Sequence, residues 1–206
     1  GDRLKSKYEK ELGEQGADYI SRMQNASARM QTLIDDLLKY SRVSRAEYAF
    51  SEISLDVILE EVLLDMEVEI GHKQAIINKT TLPKIEGEAG QMRQLFQNLI
   101  SNSLKYSKAD VPPEVSIQVK EVERMSLAQV MEPYWEISFK DNGIGFDPSY
   151  SEQIFVIFKR LHGRSEYSGT GIGLAICEKI VTNHGGGIEA EGELGVGATF
   201  RVYLPK

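Results

Sequence analysis

Two glycine-punctuated stretches, Asp141-Asn142-Gly143-Ile144-Gly145-Phe146 and Gly169-Thr170-Gly171-Ile172-Gly173-Leu174, organise this chain. Glycine has no Cβ atom, so at these positions the backbone can adopt positive φ and approach a ligand closely. The second stretch continues into an apolar segment, Ile172–Asn183, which we predict to be a helix. Because the N-terminal amides of a helix attract anions, the two loops together indicate a phosphate-binding site.

The composition favours a globular domain with an additional element. The chain has 206 residues, 41% of them hydrophobic, and a net charge of −7 with scattered basic residues, which argues against a nucleic-acid partner. No run approaches the ~18 apolar residues that span a membrane, so we expect no membrane contact in these residues. The single Cys177 excludes an intrachain disulfide, and its place in an apolar helix favours a buried structural thiol over a reactive one. A cytoplasmic location is the expectation.

A long helix is predicted near the N-terminus. Residues 1–13 carry too few apolar side chains for a solid stripe, and Gly13 and Gly16 mark a break. From Ala17 to Val43, apolar and small residues recur three and four positions apart, which is the spacing of a coiled-coil seam. The seam consists of Ile20, Met23, Ser27, Met30, Ile34, Leu37 and Ser41. A lone helix leaves such a face exposed, so we expect pairing with another chain; packing on its own domain is the alternative.

The remaining chain alternates helical and extended patterns after a polar hinge at residues 44–51. Amphipathic periodicity predicts one helix over 55–70, ended by Gly71, and another over 89–107. Strands are predicted over 50–54, 75–78, 84–86, 115–122, 134–140, 188–191 and 199–204. The strands 115–122 and 134–140 are joined by a long connection, 123–133, and residues 146–168 are too irregular for a helix assignment.

The helix over 89–107 carries a polar face opposite its apolar stripe. Asn98, Asn102 and Lys105 lie at positions i, i+4 and i+7, so they share one side of the helix. An ordinary solvated surface is one interpretation. Asparagine is a poor helix former, however, and its side-chain oxygen is a hard ligand suited to Mg²⁺, with a lysine nearby for phosphates. This pattern therefore favours a metal and phosphate site.

With these residues in place, the chain resembles the catalytic ATP-binding domain of sensor histidine kinases, in the superfamily shared with gyrase B, Hsp90 and MutL. Gln94–Ser107 resembles the N box, Asp141–Phe146 the first glycine box, Ile154–Arg160 the F box, Gly169–Leu174 the second glycine box and Gly195–Phe200 the last one. The run from Phe158 to Arg164 further resembles the phytochrome-type subgroup.

The resemblance implies an α+β fold, in which a mixed β-sheet packs on helices as a two-layer sandwich of the Bergerat type. It places the end of the first helix and the second helix of a dimerisation and phosphotransfer hairpin in residues 1–45, and the catalytic domain in residues 46–206. The implied activity is transfer of the ATP γ-phosphoryl group to a histidine on the dimerisation helix, for relay to a response-regulator aspartate. The implied protein is a homodimer.

The same resemblance implies roles for individual residues. Asp141 would accept a hydrogen bond from adenine, Asn102 would coordinate Mg²⁺, and Asn98 would lie near the metal or its waters. Asn98, Lys105 and Arg160 are the implied catalytic residues, the last two acting on phosphates. The other implied nucleotide-binding residues are Tyr106, Gly143, Gly145, Phe155, Phe158, Gly169, Thr170, Gly171, Gly173, Leu174 and Thr199, with Phe155 and Phe158 anchoring a mobile lid.

The three histidines, His72, His162 and His184, lie outside any segment that resembles the phosphoacceptor box. For each we expect a structural or surface role, although His162 could approach the nucleotide. The phosphoacceptor is therefore expected before residue 1, and residues 1–206 by themselves are expected not to autophosphorylate at that position.

Two other functions are compatible with the pattern. One is an ATP-hydrolysing conformational machine of the same superfamily, but those enzymes carry a glutamate where Asn98 stands, and an amide is no general base. The other is a non-catalytic interaction module that acts through the helical seam. The presence of Asn102, Asp141 and the glycines argues against loss of nucleotide binding.

Overall fold

A five-stranded mixed sheet forms one layer of the computed structural model, which describes residues 2–45, 49–125, 130–161, 167 and 169–206. Its strands are β2 (Ile76–Lys79), β4 (Glu114–Met125), β5 (Met131–Asp141), β6 (Gly187–Glu193) and β7 (Gly197–Pro205). They lie in the order β2-β4-β5-β7-β6, with β2 parallel to β4 and every other pair antiparallel. Two further strands, β1 (Ser51–Ser54) and β3 (Lys84–Gly87), form a separate antiparallel pair.

Helices cover one face of the sheet. They are α2 (Leu55–Asp65), α3 (Glu67–Lys73), α4 (Ala89–Lys105) and α5 (Gly173–Asn183). The apolar stripe of α4 is fully buried, and Phe96 packs on Phe139 of β5 with ring centroids 5.6 Å apart. The predicted α+β class, a mixed sheet on helices, is confirmed, because alternating strands and an amphipathic helix can each bury their apolar side only against the other layer.

The long N-terminal helix, α1, runs from Asp2 to Arg45. Gly13 has non-helical dihedral angles, with φ of 63°, so the predicted break is confirmed there, whereas Gly16 is helical. Residues 46–48 of the predicted hinge, and His162, lie outside the described residues. In the described part of the chain, no helix combines the length and apolar character that crossing a membrane requires.

The prediction of one helix over 55–70 was wrong, because the structure breaks it at Met66 into α2 and α3. Met66 is buried in the core, so the apolar spacing continues across the break and periodicity alone misses it. Gly71 lies inside α3, and the helix ends at Lys73, where Gln74 takes the left-handed conformation. His72 is therefore an exposed helical residue.

The hairpin of β4 and β5 is longer than predicted. Its ladder continues to the pair Met125 and Met131, so part of the predicted connection 123–133 is paired strand. Pro133 lies within β5, but the neighbouring strand β7 pairs only from Tyr134 onward. The Pro133 carbonyl accepts a hydrogen bond from the Lys206 N–H just beyond β7, so the missing N–H of proline falls at the very end of the pairing between β5 and β7.

Candidate functional site

The two glycine stretches lie at one end of the α4–α5 layer and border two cavities that share residues. The narrower cavity, about 90 Å³, lies beside the Asp141 carboxyl group at the end of β5. The wider cavity, about 340 Å³, lies between α4, the second glycine stretch and α1. Residues that border both are Asn102, Tyr106, Ile154, Lys159, Arg160 and Leu174. Together they form one elongated site with a more apolar end and a more polar end.

Asp141 is held by its neighbours at the apolar end. Its Oδ1 atom accepts hydrogen bonds from the backbone N–H groups of Gly143 at 2.9 Å and Ala198 at 3.1 Å, and the Ser103 hydroxyl lies 3.3 Å from Oδ2. Burial raises the pKa of the Asp141 carboxyl group, while these hydrogen bonds and the nearby Lys108 oppose the rise. Because Oδ1 is occupied, Oδ2 is the atom that can accept a hydrogen bond from a ligand.

The first glycine stretch is shaped by contacts within the protein. Gly145 has φ of 64°, and a Cβ atom there would lie 1.9 Å from the Glu193 carbonyl oxygen. The stretch is tied to the turn between β6 and β7 by a hydrogen bond from the Gly195 N–H to the Ile144 carbonyl. Glycine is therefore required at 145 for close backbone packing.

The polar residues of α4 differ in their contacts. Asn102 borders both cavities, and within the described residues no hydrogen bond engages its carboxamide. Asn98 borders the wider cavity, but its Nδ2 atom donates to the Gly173 carbonyl at 3.2 Å. Lys105 donates to the Tyr106 hydroxyl at 3.0 Å and approaches the second glycine stretch, because a Cβ atom on Gly169 would lie 2.7 Å from its Nζ.

Cys177 lies beneath this face. Its side chain is fully buried, and burial raises the pKa of the thiol to about 12, with an opposing hydrogen bond involving Asn98. The prediction of a buried structural thiol is therefore confirmed.

The segment between the two glycine stretches closes one side of the site. Two short 3₁₀ helices, Pro148–Tyr150 and Gln153–Phe155, begin it, and Phe155 is buried in the core. Phe158 differs from the expectation, because its side chain is 55% exposed and its φ is 66°. Its backbone N–H instead donates to the Gly171 carbonyl at 3.0 Å, so the main chain, and not the ring, fastens the segment to the second stretch.

Arg160 is bound to the segment that follows it. Its two terminal nitrogens donate to the Gly169 carbonyl at 2.8 Å and to the Tyr167 carbonyl at 2.5 Å. Arg160 borders both cavities from this position. Arg160 thus shapes the second glycine stretch as well as placing a positive charge at the site.

The second glycine stretch leads into α5 at the wide end. Gly169, Thr170, Gly171, Gly173 and Leu174 all border the wider cavity, and no side chain in the described residues caps the N-terminus of α5. The Thr170 hydroxyl donates to Asp36 Oδ2 of α1 at 2.6 Å. An uncapped helix start beside lysine and arginine side chains is suited to an anion.

Four of the predicted residues border neither cavity, namely Gly143, Phe155, Phe158 and Thr199. Thr199 is the one that the structure turns away from the site. It lies on β7 between Ala198 and Phe200, which border the narrow cavity, whereas Thr199 borders the opposite face of the sheet together with Arg201. Successive side chains of a strand point to opposite faces, so Thr199 faces away whenever its neighbours face the cavity.

Several residues at the site were not predicted. The alternation along β7 could have identified Ala198 and Phe200. The α1 residues Thr32, Asp36 and Lys39 border the wide cavity. Their spacings of four and three place them opposite the apolar seam, and this spacing is visible in the sequence. The further unpredicted residues are Gln94, Ser101, Ser103, Phe146, Ile154, Lys159, Leu161 and Ile176.

The residues fit a magnesium nucleotide. The narrow end offers a carboxylate oxygen within apolar walls, and the wide end offers lysines, an arginine, carboxamides and a helix start. Among the described residues there is no group of three histidine, cysteine or acidic side chains that could hold a metal alone. Mg²⁺ takes few protein ligands and completes its shell with phosphate oxygens and water, so a carboxamide such as that of Asn102 suits it.

Comparison with known proteins agrees with the geometry. Residues 87–206 match the family described as histidine kinase-, DNA gyrase B-, and HSP90-like ATPase. Cyanobacterial phytochrome A of Nostoc sp. is 40% identical over 98% of this chain and 25% of its own length. The sensor histidine kinase WalK of Bacillus subtilis is 32% identical over 88% of this chain and 29% of its own length. The chain thus spans about a quarter of the curated phytochrome that it matches.

Solved structures share the fold. Full-length ShkA in complex with AMPPNP superimposes with a TM-score of 0.70 at 24% identity, covering 93% of this chain and 39% of that one. The histidine kinase AdeS of Acinetobacter baumannii gives a TM-score of 0.65 at 18% identity, covering 90% of this chain and 83% of that one. At these identities the likeness supports the fold alone. From the matched family, its phytochrome and kinase relatives and the site geometry, the chain belongs to the histidine kinase-, gyrase B- and HSP90-like ATPases, as the ATP-binding catalytic domain of a sensor histidine kinase.

Proposed function

We propose that this site holds Mg-ATP and presents its γ-phosphoryl group to a histidine on a dimerisation helix, for relay to the aspartate of a response regulator. The observation that carries the proposal is the single elongated site, which has the Asp141 carboxyl group at one end and Asn102, Lys105 and Arg160 toward the other. In phosphoryl transfer the protein mainly positions groups and neutralises charge.

At the narrow end, Asp141 selects the base. Its Oδ2 atom accepts a hydrogen bond from the adenine amino group, while the backbone N–H groups of Gly143 and Ala198 hold Oδ1. A guanine base has a carbonyl oxygen at the corresponding position. Neither this oxygen nor the carboxylate oxygen of Asp141 carries a hydrogen, so no hydrogen bond forms between them. Ala198, Phe200 and Leu174 exclude water from the base.

At the wide end, the protein gathers charge around the phosphates. Asn102 would hold Mg²⁺, which would supply positive charge to offset that of the phosphates. Lys105, Lys159 and Arg160 supply positive charge, and the residues from Gly169 to Leu174 supply backbone amides. Asn98 acts mainly by holding the Gly173 carbonyl, so it orients the start of α5.

The geometry at Asn98 also supports transfer over hydrolysis. Its side-chain N–H donates a hydrogen bond to the Gly173 carbonyl, and a carboxamide takes no proton from water at neutral pH.

The wider assignments rest on this function. We propose that residues 1–45 form part of a dimerisation and phosphotransfer hairpin in a cytoplasmic homodimer, and that residues 46–206 are the catalytic domain. The exposed seam of α1, with Met23 and Met30 more than half exposed, supports pairing with a second copy. We further propose that residues 1–206 alone do not autophosphorylate, because none of their three histidines lies in a segment that resembles the phosphoacceptor box.

The proposal is tested with two variants of the site. Asn102→Ala and Asp141→Asn should each weaken Mg-ATP binding at least roughly tenfold, measured by calorimetry, because each removes a partly buried hydrogen-bonding or metal-binding partner. The matched controls are Asn78→Ala on exposed β2 and Asp147→Asn, which sits at the start of an exposed 3₁₀ helix. Wild-type affinity in both site variants would exclude this nucleotide site.

The transfer step is tested in the full-length protein. Wild type should form acid-labile phosphohistidine from ATP, and Asn102→Ala should not. Steady ATP hydrolysis without phosphohistidine would instead favour the hydrolysing machine, and nucleotide binding with neither reaction would favour an interaction module.

A further inference from the structure

Helix α1 lies against α5 along one side of its C-terminal half. Val43 is buried, and its carbonyl accepts a hydrogen bond from Asn183 at the C-terminal end of α5 at 2.7 Å. Tyr40 packs on the same core. Two turns earlier, Asp36 meets Thr170, just before α5 begins. The helix is thus attached at both ends of α5, and the second attachment is at the wide end of the nucleotide site.

The attached side of α1 is opposite its apolar seam. Thr32, Asp36, Lys39 and Val43 follow spacings of four, three and four, which keeps them on one face at about 100° per residue. Met30, Ile34 and Leu37 point to the other side and are between 48% and 57% exposed. Attachment to the catalytic domain therefore leaves the seam available for a second copy.

Asp36 places a negative charge where the site is otherwise built for an anion. Its Oδ2 accepts the Thr170 hydroxyl at 2.6 Å, and its Oδ1 lies 3.5 Å from Lys39 Nζ. Lys39, Lys105, Lys159 and Arg160 border the same cavity. A carboxylate among these groups has the same kind of partners as a phosphate oxygen: a hydroxyl donor and ammonium groups.

We propose that Asp36 is a built-in substitute for a nucleotide phosphate, so that attachment of α1 and binding of ATP compete. This inference rests on the proposed nucleotide site. The Thr170 hydroxyl has one hydrogen and donates it to one acceptor, either Asp36 or a phosphate oxygen. A triphosphate in the wide cavity also repels the Asp36 carboxylate, which is largely shielded from solvent.

The competition couples the nucleotide to the position of α1. The coupling is reciprocal. The factor by which the contact between Asp36 and Thr170 lowers the affinity for ATP is also the factor by which bound ATP weakens that contact. The contact between Val43 and Asn183 lies far from the cavity and persists, so it serves as the pivot. ATP thus frees the middle of α1 from the catalytic domain while its end stays attached.

The test uses Asp36→Ala, with Asp35→Ala as the matched control. Asp35 is the adjacent residue, has the same charge and accepts a hydrogen bond from Gln31 on the exposed side of the helix. Alanine suits a helix interior, so both variants should keep α1 intact. Asp36→Ala should bind ATP at least roughly fivefold more tightly than wild type and bind adenosine equally well, because adenosine carries no phosphate. Asp35→Ala should match wild type for both ligands.

Other results overturn the inference. Unchanged or weaker ATP binding by Asp36→Ala, or equal tightening for adenosine, would show that Asp36 does not compete with phosphates. ATP binding by Asp141→Asn is measured in the same experiment. If Asp141→Asn weakens ATP binding while Asp36→Ala has no effect, the proposed nucleotide site is supported and only the proposed competition is excluded. Hydrogen exchange supplies a second readout, since ATP should accelerate amide exchange across residues 32–39 in wild type but not in Asp36→Ala.

Discussion

His184 joins three elements at the C-terminal end of α5. Its Nε2 accepts a hydrogen bond from the Glu88 N–H at 3.1 Å, so Nδ1 carries the proton and donates to the Ile180 carbonyl at 2.8 Å. Its ring stacks on Phe50 with centroids 4.6 Å apart. Burial lowers the pKa of His184, while the Ile180 carbonyl and Glu88 partly oppose this. The expected structural role of this histidine is confirmed, and the neutral ring is the form that the fold uses.

This neutral ring makes stability depend on pH. The pKa of His184 is lower in the folded state than in the unfolded state, so below about pH 6.5 the unfolded chain binds more protons. The free energy of unfolding should therefore fall as the pH drops from 7 toward 5, by at most about 1.4 kcal/mol per pH unit from this residue. Denaturant unfolding at several pH values measures it. His184→Gln should flatten the dependence, and exposed His72→Gln should retain it; an equal slope in all three proteins would exclude His184 as its source.

At the scale of elements, two glycines of similar sequence context have opposite roles. Gly71 lies inside α3, and a Cβ atom there would meet nothing within 4 Å. Gly145 lies in the first glycine stretch, where a Cβ atom would meet the carbonyls of Glu193 and Gly197. Helix α3 therefore does not require glycine at position 71, whereas glycine is required at position 145 because three segments pack closely there.

Alanine substitution should separate these roles. Gly71→Ala should raise the free energy of unfolding by roughly 0.5 to 1 kcal/mol, because alanine loses less backbone entropy in a helix. Gly145→Ala should lower it by about 2 kcal/mol or more, because it adds a left-handed alanine and a backbone clash. Chemical denaturation checks both values. Equal effects at the two positions would contradict the assignment of Gly71 to the interior of α3.

For the whole molecule, the two faces of α1 set how the chain can assemble. One face holds Asp36 and Val43 against α5, and the opposite face exposes the apolar seam. Both alternatives considered for this helix are therefore compatible: it packs on its own domain and still offers a surface to a second copy. In a dimer formed through the seam, each nucleotide site would still be bordered by the α1 helix of its own chain.

Charge in the seam should dissociate such a pair. Ile34→Asp together with Leu37→Asp should convert dimer to monomer in sedimentation velocity of the full-length protein, because two charges replace buried apolar contacts. ATP affinity should stay within about twofold of wild type, since the substituted face points away from the site. Arg22→Asp, on an exposed part of α1, controls for the added charge. A dimer that survives the double substitution would place the interface elsewhere.

The sequence predicted most element positions because helices and strands leave a periodic signal within ten to twenty residues, and the resemblance to sensor histidine kinases supplied the fold class. The prediction failed where the same sequence pattern is compatible with two different structures. The stripe from Leu55 to Ile70 continues through the break at Met66, and the polar end of the β4–β5 hairpin has no alternation to reveal its pairing. At the site, Asn102, Lys105 and Asp141 could be selected from local chemistry, whereas Phe158 and Thr199 could be assigned to a motif but not oriented.

What the sequence by itself determined is therefore local: an α+β chain, a long N-terminal helix, two glycine stretches and a polar face on α4. Tertiary structure alone decided that the Asp141 carboxyl group meets Gly143 and Ala198, and that Asn98 supports α5. It also brought Asp36 to Thr170, a residue 134 positions away. The physical reason is that periodicity and motif chemistry act within a few turns of chain, while a hydrogen bond between distant residues depends on how whole elements pack.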